Sequence, residues 1–410
     1  MPAADRGSSS YAAVLRRPHA VPLSAWAALA RLQFGIIPIS TLLLLSTARG
    51  SYAEAGAATA AYGLTAGLLM PARARAADRF GHGRVLVVAA LLNAAGVAAI
   101  VALASAPLWA LVVVALVAGS LPPPVGPVMR SSWHDIVGGG PGLLRTAFSF
   151  DSVSEEVLYV VGPLVAAAAV AVVGAPPVIL MSVGLLLVAT IGMASVLRTM
   201  HAARDDEVRE RPAVPWRSVR FVLGLLPALA IGVLLGGLEL AAVAVVVSLS
   251  GEGIAGVPAA LIALGSIAGG LVYGRRRWRG TASSQAVVAV LASAAAVALS
   301  ALVAGRLLAV LLAFLVAGVF VAPAIVASYL VADDAVAGAS AESTAWVTAA
   351  FNVGTAGGTL LAGLVVDRDG PAWALGALAA TTAVITVLAV AALRRIGSRG
   401  RGTSPKPGGA

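Results

Sequence analysis

Two stretches of this sequence, Val85–Met129 and Val157–Leu197, run without a single charged residue. Each far exceeds the roughly 20 apolar residues that cross a hydrocarbon core about 30 Å thick. Each also carries a proline-marked break, Ala106-Pro107 in the first and Ala175-Pro176-Pro177 in the second, where a tight hairpin turns. Two spans per stretch is the simplest reading. No water-soluble fold hides this much apolar surface at this length. The chain is 60% hydrophobic and only 11% charged, outside the range of soluble domains. It is also far too apolar for disorder. The sequence therefore specifies an integral membrane protein.

Counts exclude several chemistries. The chain has no cysteine, which removes disulfide scaffolds, thiolate metal sites, iron–sulfur clusters and cysteine catalysis. Its one lysine, Lys406, lies in the tail Ser404-Pro405-Lys406-Pro407, so no phosphate-cradling Gly-Lys-Ser/Thr loop exists. His19, His82, His134 and His201 have no metal-ligand spacing and sit in no H-E-x-x-H motif, and G-x-S-x-G is absent. The expectation is a protein that is not an enzyme and uses no cofactor and no metal. The net charge of +10 points to cytoplasmic loops facing an anionic leaflet rather than to nucleic acid.

With charges read as loop markers, twelve spans emerge, near 29–48, 55–72, 85–104, 107–129, 148–171, 177–197, 221–246, 255–274, 284–304, 307–331, 343–365 and 372–393. Arginines crowd alternate loops: Arg73, Arg75, Arg79 and Arg84; Arg130 and Arg145; Arg198 to Arg220; Arg275 to Arg279; and the C-terminal tail. The opposite loops hold only Arg49, Arg306 and Arg368. By the positive-inside rule both termini and the central loop are cytoplasmic, in a multi-pass protein of the cytoplasmic membrane. The predicted organisation is a cytoplasmic tail over 1–20, a six-helix bundle over 21–197, a charged central loop over 198–220, a second six-helix bundle over 221–395 and a disordered tail over 396–410. The halves share weak similarity: Gly119-Ser-Leu-Pro-Pro-Pro124 in span four corresponds to Gly318-Val-Phe-Val-Ala-Pro323 in span ten. Such duplication is one known transporter construction.

The loop after span two, Ala74-Arg75-Ala76-Ala77-Asp78-Arg79-Phe80-Gly81-His82-Gly83-Arg84, resembles the signature loop of the major facilitator superfamily, Gly-x-Leu-x-Asp-Arg-x-Gly-Arg-Arg. Asp78, Arg79 and Gly81 match; Ala74 and Ala76 replace Gly and Leu, and Gly83 stands where a basic residue is usual. Together with the span count, the resemblance covers about residues 20–395. It implies an all-α fold of two six-helix bundles that rock around a cavity lined by spans one, four, seven and ten. It further implies that Asp78 faces the positive end of span eleven, with Arg79 and Arg84 completing a latch. The bland alternative is that these arginines only set topology.

In span five, Gly162-Pro163 followed by small residues through Ala169 resembles a degraded form of the antiporter motif Gly-x-x-x-Gly-Pro-x-x-Gly-Gly. Leu158, Ala166 and Ala167 replace its glycines. Pro163 would kink the helix, and the small residues admit a close neighbour; ordinary small-residue packing is the alternative. Span eleven offers a comparable run, Gly354-Thr-Ala-Gly357-Gly358. Proton-coupled drug exporters of the superfamily carry an arginine inside span four. Here none lies between Arg84 and Arg130, and Arg130 falls at the cytoplasmic end.

Ionisable groups within a bilayer are costly and invite a functional account. Glu239, in Gly236-Gly237-Leu238-Glu239 of span seven, is a candidate for proton or cation binding; an interfacial Glu is the alternative. Asp151 opens span five as a helix-dipole partner, and Glu342 opens span eleven likewise. Glu155 and Glu156 lie one turn deeper than Asp151; one can pair with Arg130 or Arg145, or carry a proton. Arg31 lies early in span one, placed to snorkel. Pro124, Pro127 and Pro323 would shape the cavity by breaking helix regularity.

The expected function is a monomeric secondary transporter, a proton-coupled exporter of a small apolar metabolite or drug. Scarce cavity charge suits such a cargo. The alternatives are an uptake symporter or uniporter, and a non-transporting sensor or scaffold on the same fold.

Overall fold

The computed structural model describes residues 10–49, 52–138, 141–202, 219–250, 257–276, 278–335 and 341–401. Most of the central loop, Arg277 and the end of the C-terminal tail lie outside the described residues. Among the described residues the structure is α-helical throughout, without strands.

A short α1 (Tyr11–Leu15), capped by the Ser10 hydroxyl, precedes span one, α2 (Ala20–Arg49). Span two is α3 (Tyr52–Leu68), and its loop forms a separate helix, α4 (Met70–Phe80). Span three is α5 (His82–Ala102), and span four is split into α6 (Leu108–Gly119) and α7 (Val125–Val137). Spans five and six are α8 (Pro141–Val173) and α9 (Ala175–Ala202). Span seven comprises α10 (Val219–Gly224) and α11 (Leu226–Ser250), followed by α12 (Val257–Arg275) and α13 (Ala282–Leu302). Span ten is split into α14 (Leu307–Val319) and α15 (Val321–Ala335); α16 (Ala341–Asp369) and α17 (Pro371–Arg401) complete the twelve. Among the described residues, ten stretches are long and apolar enough to cross a membrane. The other two spans are α3, at 17 residues, and the broken pair α6–α7.

The helices form two compact units. The first is Met1–Pro212 with the segments Gly274–Arg277 and Gly338–Ala349; the second is the rest of Ala213–Ala410. In the first unit, the start of α2, the helix α4, the end of α7 and the start of α8 share one end, called here the loop end.

Several boundaries differ from expectation. Helix α7 continues past Met129 to Val137, and α8 begins at Pro141 rather than near 148. The turn between spans five and six is made by Gly174 at φ 82, so Pro176 and Pro177 start the next helix, where a missing N–H costs nothing. Residues 396–401, expected to be disordered, extend α17. Helix α8 runs unbroken through position 163; the side chain of Pro163 lies outside the described residues.

The two units repeat one device. Span four stops at Gly119 because Pro122, Pro123 and Pro124 cannot donate to the helix ladder, and the terminal carbonyls find donors elsewhere. Thr65 donates to Leu116 O at 2.9 Å, Asn93 to Ala118 O at 3.2 Å and Arg73 to Gly119 O at 3.1 Å. In the second unit span ten breaks at Phe320, and Ser293 donates to Ala317 O at 3.0 Å. Gly119 lies against the Tyr62 backbone and Gly318 against that of Ile262, with no room for a Cβ at either. Pro124 and Pro127 are buried around the first break, and Pro323 beside the second. Close backbone approach supplies the dispersion contact that holds helices together in lipid. Gly162 meets Gly35 across α8 and α2, and Gly354 and Gly358 meet Leu229 and Val233 across α16 and α11.

Candidate functional site

Arg31, Arg130, Asp151 and Glu155 converge from α2, α7 and α8 inside the first unit. Asp151 and Arg31 each lie about three turns into their helices, roughly 15 Å along the axis. The Arg31 guanidinium grips Asp151 through two bonds, Nη1 to Oδ1 at 2.7 Å and Nη2 to Oδ2 at 3.1 Å. Its Nε stands 3.3 Å from Glu155 Oε1. Arg130 Nε stands 3.3 Å from Asp151 Oδ2, and its Nη2 donates to Glu155 Oε2. Gly126 leaves the space beside these groups open, for a Cβ there would stand 3.3 Å from Arg130 Nη1 and 3.4 Å from Glu155 Oε1.

Charges at this depth are tolerable only when paired and hydrogen-bonded. Two cations and two anions compensate one another. The four are not equally sealed: side-chain exposure is 6% for Arg31, 4% for Arg130 and 3% for Asp151, against 25% for Glu155. Glu155 is thus the member that solvent or a ligand can reach. Three expectations are corrected here. Arg31 does not snorkel but is buried in an ion pair. Asp151 is not a first-turn residue, since α8 starts ten residues earlier. Arg130 is not terminal but buried within α7.

The remaining carboxylates are placed differently. Glu156 is half-buried on α8. Glu239, on α11 of the second unit, is exposed and makes no ion pair or hydrogen bond among the described residues.

The loop end holds a second constellation. Asp78 Oδ1 accepts from the Ala341 amide at 3.0 Å and Oδ2 from the Glu342 amide at 2.9 Å, satisfying two orphan donors at the start of α16. His82 Nε2 meets Asp78 Oδ1 at 3.0 Å. Arg75 donates to Glu342 Oε1 through Nε and Nη2 at 3.0 and 2.8 Å. Gly81, at φ 96, turns the chain sharply between α4 and α5. Arg79 and Arg84 are exposed, Arg79 lying over the Phe80 ring at 5.1 Å. Residue spacing alone did not single out Arg75 for this contact. Nearby, Thr146 donates to Gly274 O at 2.6 Å, and Arg275 lies 5.6 Å from the Tyr11 ring. Burial pushes the Tyr11 phenol up to about 12. Among the described residues no group of His, Asp and Glu has the arrangement of a metal site.

A sequence model described as Major Facilitator Superfamily matches residues 23–336. No curated protein matches the sequence. Among solved structures, the chain is similar to the E. coli fucose:proton symporter FucP (TM-score 0.65, 13% identity, covering 91% of this chain and 98% of that one). It is also similar to a bacterial homologue of the iron transporter ferroportin (TM-score 0.71, 12% identity, 90% and 98%). The human organic anion transporter MFSD10 gives a TM-score of 0.60 at 17% identity, over 91% and 99% of the two chains. At these identities the likeness is one of fold.

Proposed function

Since the chain belongs to the Major Facilitator Superfamily, we propose that it is a proton-coupled secondary transporter working by alternating access, with Glu155 as its coupling carboxylate. One observation carries the assignment: Glu155 is the partly exposed member of an otherwise sealed four-charge cluster. Ionised, it pairs with Arg130 and closes a neutral cluster. Protonated, it gives up its charge pairing with Arg130 and Arg31, which keep Asp151, and leaves the cluster with one net positive charge. The protonation state and the ion-pair arrangement are thereby tied together.

The neutral, self-compensated form suits an uncharged, largely apolar cargo, which supports proton antiport and export as the first reading. A second reading rests on the two arginines. An anionic cargo could replace protonated Glu155 on Arg130, and proton and cargo would then move together in uptake. The arginine-rich loops support a cytoplasmic-membrane location with both termini inside, and the transporter is proposed to act as a monomer. At the loop end Asp78, held by the start of α16, and Arg75, held by Glu342, serve as the conformational latch; Gly81 shapes its turn, and exposed Arg79 and Arg84 bear on topology.

The purified protein in vesicles loaded with a pH-sensitive dye tests the reading against a broad metabolite and drug panel. Cargo-dependent proton counterflow supports antiport, and co-directional flow supports the second reading. The absence of any pH response across the panel would overturn proton coupling. Glu155→Gln should abolish coupling with the fold retained. If Glu239→Gln abolishes it instead, the carboxylate assignment moves to α11.

A further inference from the structure

On the loop-end side of the four-charge cluster, buried polar atoms accumulate without partners. Among the described residues, Ser149 Oγ, Ser152 Oγ, Trp133 Nε1 and Ser24 Oγ make no hydrogen bond. Trp133 and Ser149 are fully buried, and Ser152 is 6% exposed. Leaving such a group unsatisfied costs about 1–3 kcal/mol, and proteins normally avoid this with backbone, side-chain or water partners.

The neighbouring hydroxyls show how easily helical serines and threonines bond within their own helix. Ser131 and Ser132 donate to Val128 O at 3.0 and 2.8 Å, and Ser154 to Phe150 O at 2.8 Å. Ser149 and Ser152 do not, so their state belongs to this site and not to serine in helices generally.

The orphans also share a direction. Ser149 and Ser152 are one turn apart on α8, with Cβ atoms roughly 5–6 Å from each other, and the next turn brings Glu155. On α7, Trp133 lies one turn from Arg130 toward the loop end, and its ring meets that of Phe150 at 6.3 Å. On α2, Ser24 lies two turns from Arg31 on the same side. Three helices thus present polar atoms between the cluster and the loop end. Ser149 finishes the row beside Gly274, whose Cβ would stand 3.0 Å from Ser149 Oγ and run into the Tyr11 hydroxyl.

We propose that Ser149, Ser152, Trp133 and Ser24 hold a short file of water that carries protons between the loop end and Glu155, with Tyr11 and Gly274 at its mouth. The proposal rests on Glu155 as the coupling carboxylate. A buried water makes about three hydrogen bonds to otherwise unsatisfied groups, and the four unpartnered atoms are the groups offered to it here. Water between Ser152 and Glu155 gives the proton a hydrogen-bonded route that Asp151, sealed by Arg31 and Arg130, does not offer. Arg145 and Glu156 on α8 are further charged groups beside the row, and Arg275 stands 5.6 Å from the Tyr11 ring at its mouth.

Hydroxyl-radical footprinting by X-ray radiolysis of the full-length protein in vesicles tests this, because radicals form from internal water and oxidise the ring next to it. Trp133 should be oxidised several-fold faster than equally buried Phe314, which sits in an apolar core, after allowance for intrinsic ring reactivity. Ser149→Ala with Ser152→Ala should reduce Trp133 oxidation several-fold while the thermal melt is kept. Oxidation of Trp133 no faster than that of Phe314 would overturn the water file and leave the Glu155 assignment standing. Glu155→Gln separates the two ideas: oxidation should persist while coupling is lost. If oxidation persists and coupling survives, the file does not feed Glu155, and the proposal fails together with the carboxylate assignment.

Discussion

Asp151 holds Arg31 in a two-bond grip at 2.7 and 3.1 Å, although 120 residues separate them in sequence. The grip fastens span one to span five at a depth where neither charge could stand alone. Removing one partner of a buried pair typically costs about 3–5 kcal/mol, because the other charge remains. Asp151→Asn or Arg31→Met should therefore lower the detergent melting temperature markedly. Glu155→Gln, at the accessible corner, should lower it much less. Equal losses for Asp151→Asn and Glu155→Gln would contradict the burial difference between them.

Asp78 reaches across to the first two amides of α16. Asp78→Ala leaves both donors without that partner, a loss of about 1–2 kcal/mol for a helix cap. Hydrogen exchange over residues 341–345 should speed up about 5- to 30-fold, which is that energy expressed as an equilibrium ratio. Asp78→Asn keeps one acceptor oxygen and should fall between. Unchanged exchange in Asp78→Ala would show that the cap does not order this segment.

Gly119 ends the first half of span four with its Cα pressed on the Tyr62 backbone, and an added Cβ would stand 2.8 Å from Tyr62 C. Backbone cannot yield as a flexible side chain can, so Gly119→Ala should destabilise by about 1–3 kcal/mol. Gly357→Ala is the internal comparison. Nothing lies within 4 Å of that position, and its melt should move by no more than about 0.5 kcal/mol equivalent.

The Tyr11 phenol gives a pH prediction. Its folded-state value of about 12 lies above the ordinary 10 because burial disfavours the phenolate, partly offset by Arg275. The folded state thus favours the neutral phenol. The α1 contact should be fully present below pH 10 and weaken as the pH rises through 10 toward 12. Absorbance titration at the phenolate band should show a late-ionising component that Tyr11→Phe reduces by one tyrosine. A titration unaltered above pH 10 by that substitution would refute the assignment.

Much of the architecture was legible because hydrophobic length and arginine asymmetry act on whole segments. The twelve spans and the break after Gly119 follow from properties of stretches of sequence. The charge cluster was hidden by the same logic. Treating charges as loop markers ends span four at Met129 and makes Arg130 a loop residue by definition, whereas α7 continues for two more turns. The same marker starts span five after Arg145 and so puts Asp151 in a first turn, while a start of span one near 29, nine residues after the start of α2, puts Arg31 near an end. Pairing was the missing information: a charge can enter the membrane when another helix brings its partner, and no local window contains both Arg31 and Asp151. Glu239, conspicuous in sequence for its glycine-rich surroundings, has no such partner among the described residues.

The self-compensation of the cluster has an electrical consequence. With all four groups ionised, Arg31, Arg130, Asp151 and Glu155 sum to zero, so a membrane voltage exerts no net force on the site as a unit. One proton on Glu155 makes it a single positive charge, worth about 2.3 kcal/mol per 100 mV across the full field. Under the proposed antiport of an uncharged cargo, the voltage would drive only the proton-loaded half of the cycle, whereas an anionic cargo carried with the proton would cancel the charge and leave that half electrically silent.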